Sequence, residues 1–128
     1  MTAEGMVSLW VGNASSPEAL EQYVAHAYTD DGDEVPSAFA RDFALGTYDP
    51  GKREAEVIDS AASNLSRLLA GVSYDQVVVP RFVQVLGDTL QAPANALVLL
   101  YDVAYDGGPK PSSVVDVQLY PLGAVRYR

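Results

Sequence analysis

Residues 96–105 read Ala96-Leu97-Val98-Leu99-Leu100-Tyr101-Asp102-Val103-Ala104-Tyr105, and this run decides the fold. It is the most apolar segment of the chain, with bulky side chains at consecutive positions from Leu97 to Tyr101. Successive side chains of a strand point to opposite faces, so a strand buried on both faces reads as such an unbroken run. The segment is therefore expected to be the central strand of a sheet. It is far short of the roughly 20 apolar residues that a membrane-spanning helix needs.

Working outward, residues 6–11 have the same character. Val7, Leu9 and Val11 fall on one face, Met6, Ser8 and Trp10 on the other, and both faces carry bulk, which marks a second interior strand. Gly12-Asn13 is expected to end it. On the C-terminal side, Val115, Val117 and Leu119 alternate with polar residues and predict a strand over 114–120. It should pair with the central strand as an antiparallel hairpin across a long loop at Asp106-Gly107-Gly108-Pro109. Val125 and Tyr127 can add a short terminal strand. Residues 52–58 read as a strand with a polar face, because Ala55 and Val57 alternate with charges.

Helical spacing fills the intervals. Ser15 or Ser16 can cap a first helix with Pro17 in its first turn, and Leu20, Tyr23, Val24, Ala27 and Tyr28 form its apolar stripe. Ser37 can cap a short second helix with Phe39, Ala40, Phe43 and Ala44 inward. A third is expected from Asp59 or Ser60, with Ala61, Leu65, Leu68 and Leu69 inward and Gly71 closing it. Over residues 74–87, Val78, Phe82 and Leu86 repeat at four, which favours a helix kinked at Pro80; a short strand at Val77-Val78-Val79 is the alternative. The order β-α-α-β-α-α-β-β has too few strands for a doubly wound fold. It predicts one α+β domain over residues 1–128: a two-layer sandwich, with helices on a mostly antiparallel sheet of about four strands. Trp10, Phe39, Phe43, Leu97 and Leu99 are the expected anchors of its core.

Composition narrows the function. With 48% apolar residues, the chain can build a core rather than remain disordered. The absence of cysteine excludes a disulfide scaffold, a thiolate metal site and a cysteine nucleophile, and suits a reducing cytosol. The N-terminus has neither a basic nor an apolar leader region, so no secretory signal is expected. A formal charge of −9 repels nucleic acid and anionic lipid and attracts basic partners.

Catalytic equipment is sparse. His26 is the only histidine, read as an ordinary surface residue near the end of the first helix. There is no phosphate-binding glycine loop and no HExxH pair. Asp30-Asp31-Gly32-Asp33-Glu34 invites a calcium reading that fails on spacing. A calcium loop begun at Asp31 would put Pro36 where glycine is needed and Asp42 where glutamate is needed, and one begun at Asp30 puts Val35 and Arg41 there. The segment is then either a solvated acidic loop or a patch that pairs with cations of a partner. Glu54 and Glu56, with Asp49, are candidates for carboxylate acid–base work, set against a plain solvent-facing edge strand. Tyrosine is unusually frequent, eight against three phenylalanines, and tyrosine offers contact area with a polar tip.

The stretch Val7-Ser8-Leu9-Trp10-Val11-Gly12-Asn13, then Leu20-Glu21-Gln22-Tyr23, Asp30-Asp31-Gly32-Asp33, Pro36-Ser37-Ala38-Phe39, Asp42-Phe43, Tyr48-Asp49 and Glu54, resembles the immunity protein 22 family of bacterial polymorphic toxin systems. Leu99-Leu100-Tyr101-Asp102 with Tyr105 is similar to its central-strand signature. Pro50-Gly51 and Lys52-Arg53 depart from the acidic or apolar residues of that pattern. The resemblance implies a cytoplasmic antidote that binds a cognate protein toxin stoichiometrically, with no catalysis and no cofactor; nucleases are common among such toxins.

The acidic composition and the tyrosines then place an expected docking surface for a basic toxin on Asp30, Asp31, Asp33 and Glu34, with Tyr48 and Asp49 at the following turn. Tyr105 and Asp106, at the end of the central strand, are secondary candidates. Two other readings compete: a regulatory or adaptor domain using the same surface, and a small hydrolase built on Glu54, Glu56 and Asp49.

Overall fold

The computed structural model describes residues 2–46, 48–107 and 114–128. Strand β1 (Thr2–Ala14) leads into helix α1 (Pro17–Val24), and a two-rung ladder of β2 (Ala27–Tyr28) and β3 (Glu34–Val35) follows. Next come α2 (Ala38–Asp42), a 3-10 turn (Pro50–Lys52), β4 (Arg53–Asn64), α3 (Leu65–Leu68), α4 (Asp75–Leu86), β5 (Thr89–Val103) and β6 (Val117–Arg126). The four long strands form one antiparallel sheet in the order β4-β5-β1-β6. The α+β class and the four-stranded antiparallel sheet are as expected, and β5, the segment quoted first, is interior.

Its neighbours differ from expectation. β6 does not pair with β5; β1 lies between them, with Leu9 opposite Leu99 of β5 and Gly123 of β6. Both β1 and β5 carry apolar side chains on both faces, so both gain by lying inside the sheet, and a long connection lets the chain cross over. Gly12 does not end β1: a Cβ there would overlap the Gln118 carbonyl oxygen, so glycine lets β6 pass close. β6 starts at Val117, leaving Val115 exposed, and runs through Val125 as one strand. Gly108 and Pro109, read as loop, lie outside the described residues.

The helices divide between the two faces, so the expected two layers become three. On one face Val7, Leu9, Leu97 and Leu99 meet Leu65, Leu68, Val78 and Phe82 of α3 and α4. On the other, Trp10, Val98 and Leu100 meet Leu20, Tyr23, Phe39 and Phe43 of the α1–α2 side. The strand period of two sends alternate residues to opposite cores. All five expected core anchors are at most 1% exposed. Trp10 sits edge-on to Phe39 and Phe43 at centroid distances of 5.0 and 5.7 Å. Ser8, buried beside them, donates from Oγ to Val103 O at 2.7 Å and accepts from Tyr105 N at 2.9 Å.

Helix boundaries moved where local signals competed. Ser16 accepts from Ala19 N with Pro17 leading α1, and Ser37 accepts from Ala40 N for α2, both as expected. α1 stops at Val24, however, and Ala27 and Tyr28 leave the stripe for β2. The expected third helix shrinks to α3, because β4 continues to Asn64 along β5. α4 runs through Pro80.

Candidate functional site

The acidic segment is a structured hairpin. Ala27 pairs with Val35 and Tyr28 with Glu34. Its turn is closed by Thr29 N donating to Asp33 O at 2.8 Å, Gly32 N to Thr29 O at 2.9 Å and Asp33 N to Thr29 Oγ1 at 3.1 Å. Gly32 has φ +87°, a left-handed conformation that glycine takes without penalty. Every residue from 27 to 36 is exposed. A two-rung ladder has little stability of its own, so what holds its neck matters.

That neck is built by His26, Tyr48 and Arg53. The end carbonyls of a helix lack intrahelical donors, and α1 has no basic residue in its last turn. Arg53, from the start of β4, fills the role by donating to Val24 O at 2.9 Å. The same nitrogen lies 3.3 Å from the Tyr48 hydroxyl and 3.5 Å from His26 Nδ1. A guanidinium only donates, so Nδ1 is the acceptor in this contact. Nε2 faces Glu34 Oε1 at 3.3 Å, and the ring stacks edge-on against Tyr48 at 4.9 Å. The His26 side chain is only 5% exposed, which corrects the reading of a surface histidine.

The expected docking residues therefore part company. Asp30, Asp31 and Asp33 stand together on the exposed turn, and Glu34 is beside them with its carboxylate turned to His26. Tyr48, 8% exposed, supports the hairpin from beneath and does not offer its ring to a partner. Asp49 is exposed, with Oδ1 accepting from Gly51 N at 2.8 Å to cap the 3-10 turn. Tyr105 packs against Trp10 and Phe43 at 5.3 and 5.9 Å, with exposed Asp106 following it. The tyrosine on the acidic hairpin is Tyr28, 66% exposed. Sequence reading missed it because its spacing continues the α1 stripe. Pro36-Ser37, which starts α2 afresh, is a signal that the chain needs a reversal here.

The carboxylates read as a hydrolase do not converge. Both Glu54 oxygens accept from Ser73 N at 3.1 Å, and Tyr101 Oη lies 2.9 Å from Oε1. Burial, then this bond to Glu54, pushes the Tyr101 phenol far above its usual range. Glu56 instead borders a cleft between α1 and β4. Among the described residues, no group of three histidine or acidic side chains is placed to hold a metal ion.

The most heavily bonded charge is Asp102, in a left-handed bulge of β5 at φ +63°. It accepts from Gly5 N at 2.9 Å, Tyr127 Oη at 2.7 Å and Lys52 Nζ at 2.9 Å. The Gly5 amide first, then the Tyr127 hydroxyl and Lys52, hold its carboxyl well below the usual carboxylate range. This hub ties both chain ends to the sheet.

An antiparallel sheet between two helical layers, with an acidic hairpin braced on one side, defines an α+β domain that carries a candidate protein-docking element. No described helix is long and apolar enough to cross a membrane. The family model of immunity protein 22 matches residues 7–128, and the chain belongs to that family. The match extends beyond the segments that carry the resemblance in sequence and supports a toxin-neutralising immunity role in general. No curated protein and no solved structure matches the chain.

Proposed function

We propose that this chain neutralises a cognate bacterial toxin in the cytoplasm by stoichiometric docking, without catalysis or cofactor, and that the β2–β3 hairpin is the centre of its docking surface. Family membership supports the immunity role. The observation that carries the surface is the pairing of Tyr28, 66% exposed, with three exposed carboxylates on a hairpin braced from below. Carboxylates steer a cationic partner and pair with its arginines and lysines. An aromatic ring that becomes desolvated on docking supplies most of the affinity at such surfaces. A hairpin already held in shape loses little further entropy on binding. Asp49 and Asp106 extend the acidic field to which a basic toxin, such as a nuclease domain, would respond. The test is co-expression with the toxin domain encoded beside this gene. Survival of the host and a one-to-one complex on purification are expected; death of the host with no complex would refute the immunity role for that toxin.

A further inference from the structure

The sheet has two edges, and they differ. β6 carries Pro121 and Gly123, and its register slips opposite Leu9 and Trp10. Proline and irregularity are the usual means of closing an edge to further strands. β4 has neither over residues 53–57, where Arg53, Glu54, Ala55, Glu56 and Val57 pair in unbroken register with Leu100 to Ala96 of β5. Among the described residues, Arg53 N donates to Pro50 O at the start of this run, and no other backbone hydrogen bond outside the sheet ladder reaches it. Since β4 is terminal in the sheet, alternate N–H and C=O groups along it face outward.

The side chains at this edge state what it accepts. Ala55 and Val57 are half-buried toward the α1 core, and with Pro17, Leu20 and Val24 they line a cleft of about 370 Å³. Glu56, Glu21 and Arg53 border the same cleft, the Arg53 guanidinium being engaged by Val24 O. Asp59 follows along the strand, and none of the three carboxylates makes an ion pair among the described residues. Glu54 occupies the position alternate to Ala55. Two copies of this edge paired antiparallel would set carboxylates against carboxylates, which disfavours self-association. A cationic strand meets the opposite condition. Arg53 joins this edge to the hairpin neck through Val24 and His26, so the two surfaces are continuous.

We infer that the outer edge of β4 over residues 53–57 receives an extended cationic segment of the cognate toxin, which adds to the sheet as a fifth strand. Its basic residues lie opposite Glu54 and Glu56, and its alternate, small apolar residues enter the cleft under α1. This inference rests on the immunity reading above and names a second contact within it.

Two experiments separate the inference from that reading. In the first, the isotope-labelled protein is titrated with an end-capped alternating peptide, Lys-Val-Lys-Val-Lys-Val. Controls are a fully N-methylated copy and a copy with glutamate in place of lysine. Saturable amide shifts centred on residues 53–57 are expected, with the N-methylated copy at least tenfold weaker and the glutamate copy silent. Glu56→Lys, at an exposed position and checked for a native amide spectrum, should weaken the lysine peptide at least tenfold. Shifts elsewhere, or equal binding of the N-methylated copy, would overturn the inference. In the second, hydrogen exchange is measured on the complex with the neighbouring toxin domain. Protection of residues 53–57 supports the inference. A complex that leaves them unprotected overturns it while the immunity reading stands, and failure to form any complex overturns the immunity reading itself.

Discussion

His26 and Glu34 are joined across the neck of the hairpin, Nε2 to Oε1 at 3.3 Å, with the imidazole packed on Tyr48. This contact closes the neck of a two-rung ladder that has little stability of its own. Glu34→Ala should leave global stability within about 1 kcal/mol, since one face of the pair is solvated. Amide exchange over residues 28–34 should rise at least severalfold, because local opening no longer breaks the His26 contact. Exchange unchanged from wild type would show that the turn bonds of Thr29 suffice.

Trp10 is the single tryptophan and is fully buried between Phe39, Phe43 and Tyr105. Trp10→Ala should cost about 3–5 kcal/mol by denaturant unfolding, the range for a large aromatic removed from a packed core. In wild type, its fluorescence should be blue-shifted and should report unfolding directly.

The Asp102 hub predicts a pH dependence with a definite sign. Its folded pKa is lowered by Gly5, Tyr127 and Lys52, so it contributes stability above the unfolded value of about 3.9, and that contribution is lost as the pH falls toward the folded value. Asp102→Asn should therefore destabilise on the order of 2 kcal/mol near pH 7, the scale of hydrogen bonds to a charged group. The gap between variant and wild type should close as the pH falls below about 4. A gap independent of pH down to about pH 2 would point to packing rather than charge.

Much of the fold was legible because burial leaves a period in the sequence. The unbroken run in β5, the alternation in β1 and the serine caps of α1 and α2 each carry a local physical signature. The pairing of strands does not: nothing local to β1 says that it separates β5 from β6. The third helix was overread because Ala61 and Leu65 fit a helical stripe, whereas Ala62 and Asn64 continue the ladder with β5. In the candidate site, the carboxylates were legible as charge, but Tyr28 and Tyr48 exchanged roles. A tyrosine suits a core stripe and an exposed surface equally, and only the chain reversal after Val24 separates the two. Arg53, noticed only as a departure from the family pattern, proves to be the residue that joins helix end, tyrosine and histidine.

The central claim, docking through the β2–β3 hairpin, is tested most directly by binding kinetics with the cognate toxin domain at two salt concentrations. Two folded variants are compared with wild type: Tyr28→Ala, and the triple amide variant of Asp30, Asp31 and Asp33. The triple variant should associate more slowly, and its association should depend less on salt, because steering charge is gone. Tyr28→Ala should dissociate faster, at a cost of about 2 kcal/mol, with association little changed. Wild-type kinetics and full protection of the host by both variants would contradict the claim and move the docking surface elsewhere on the molecule.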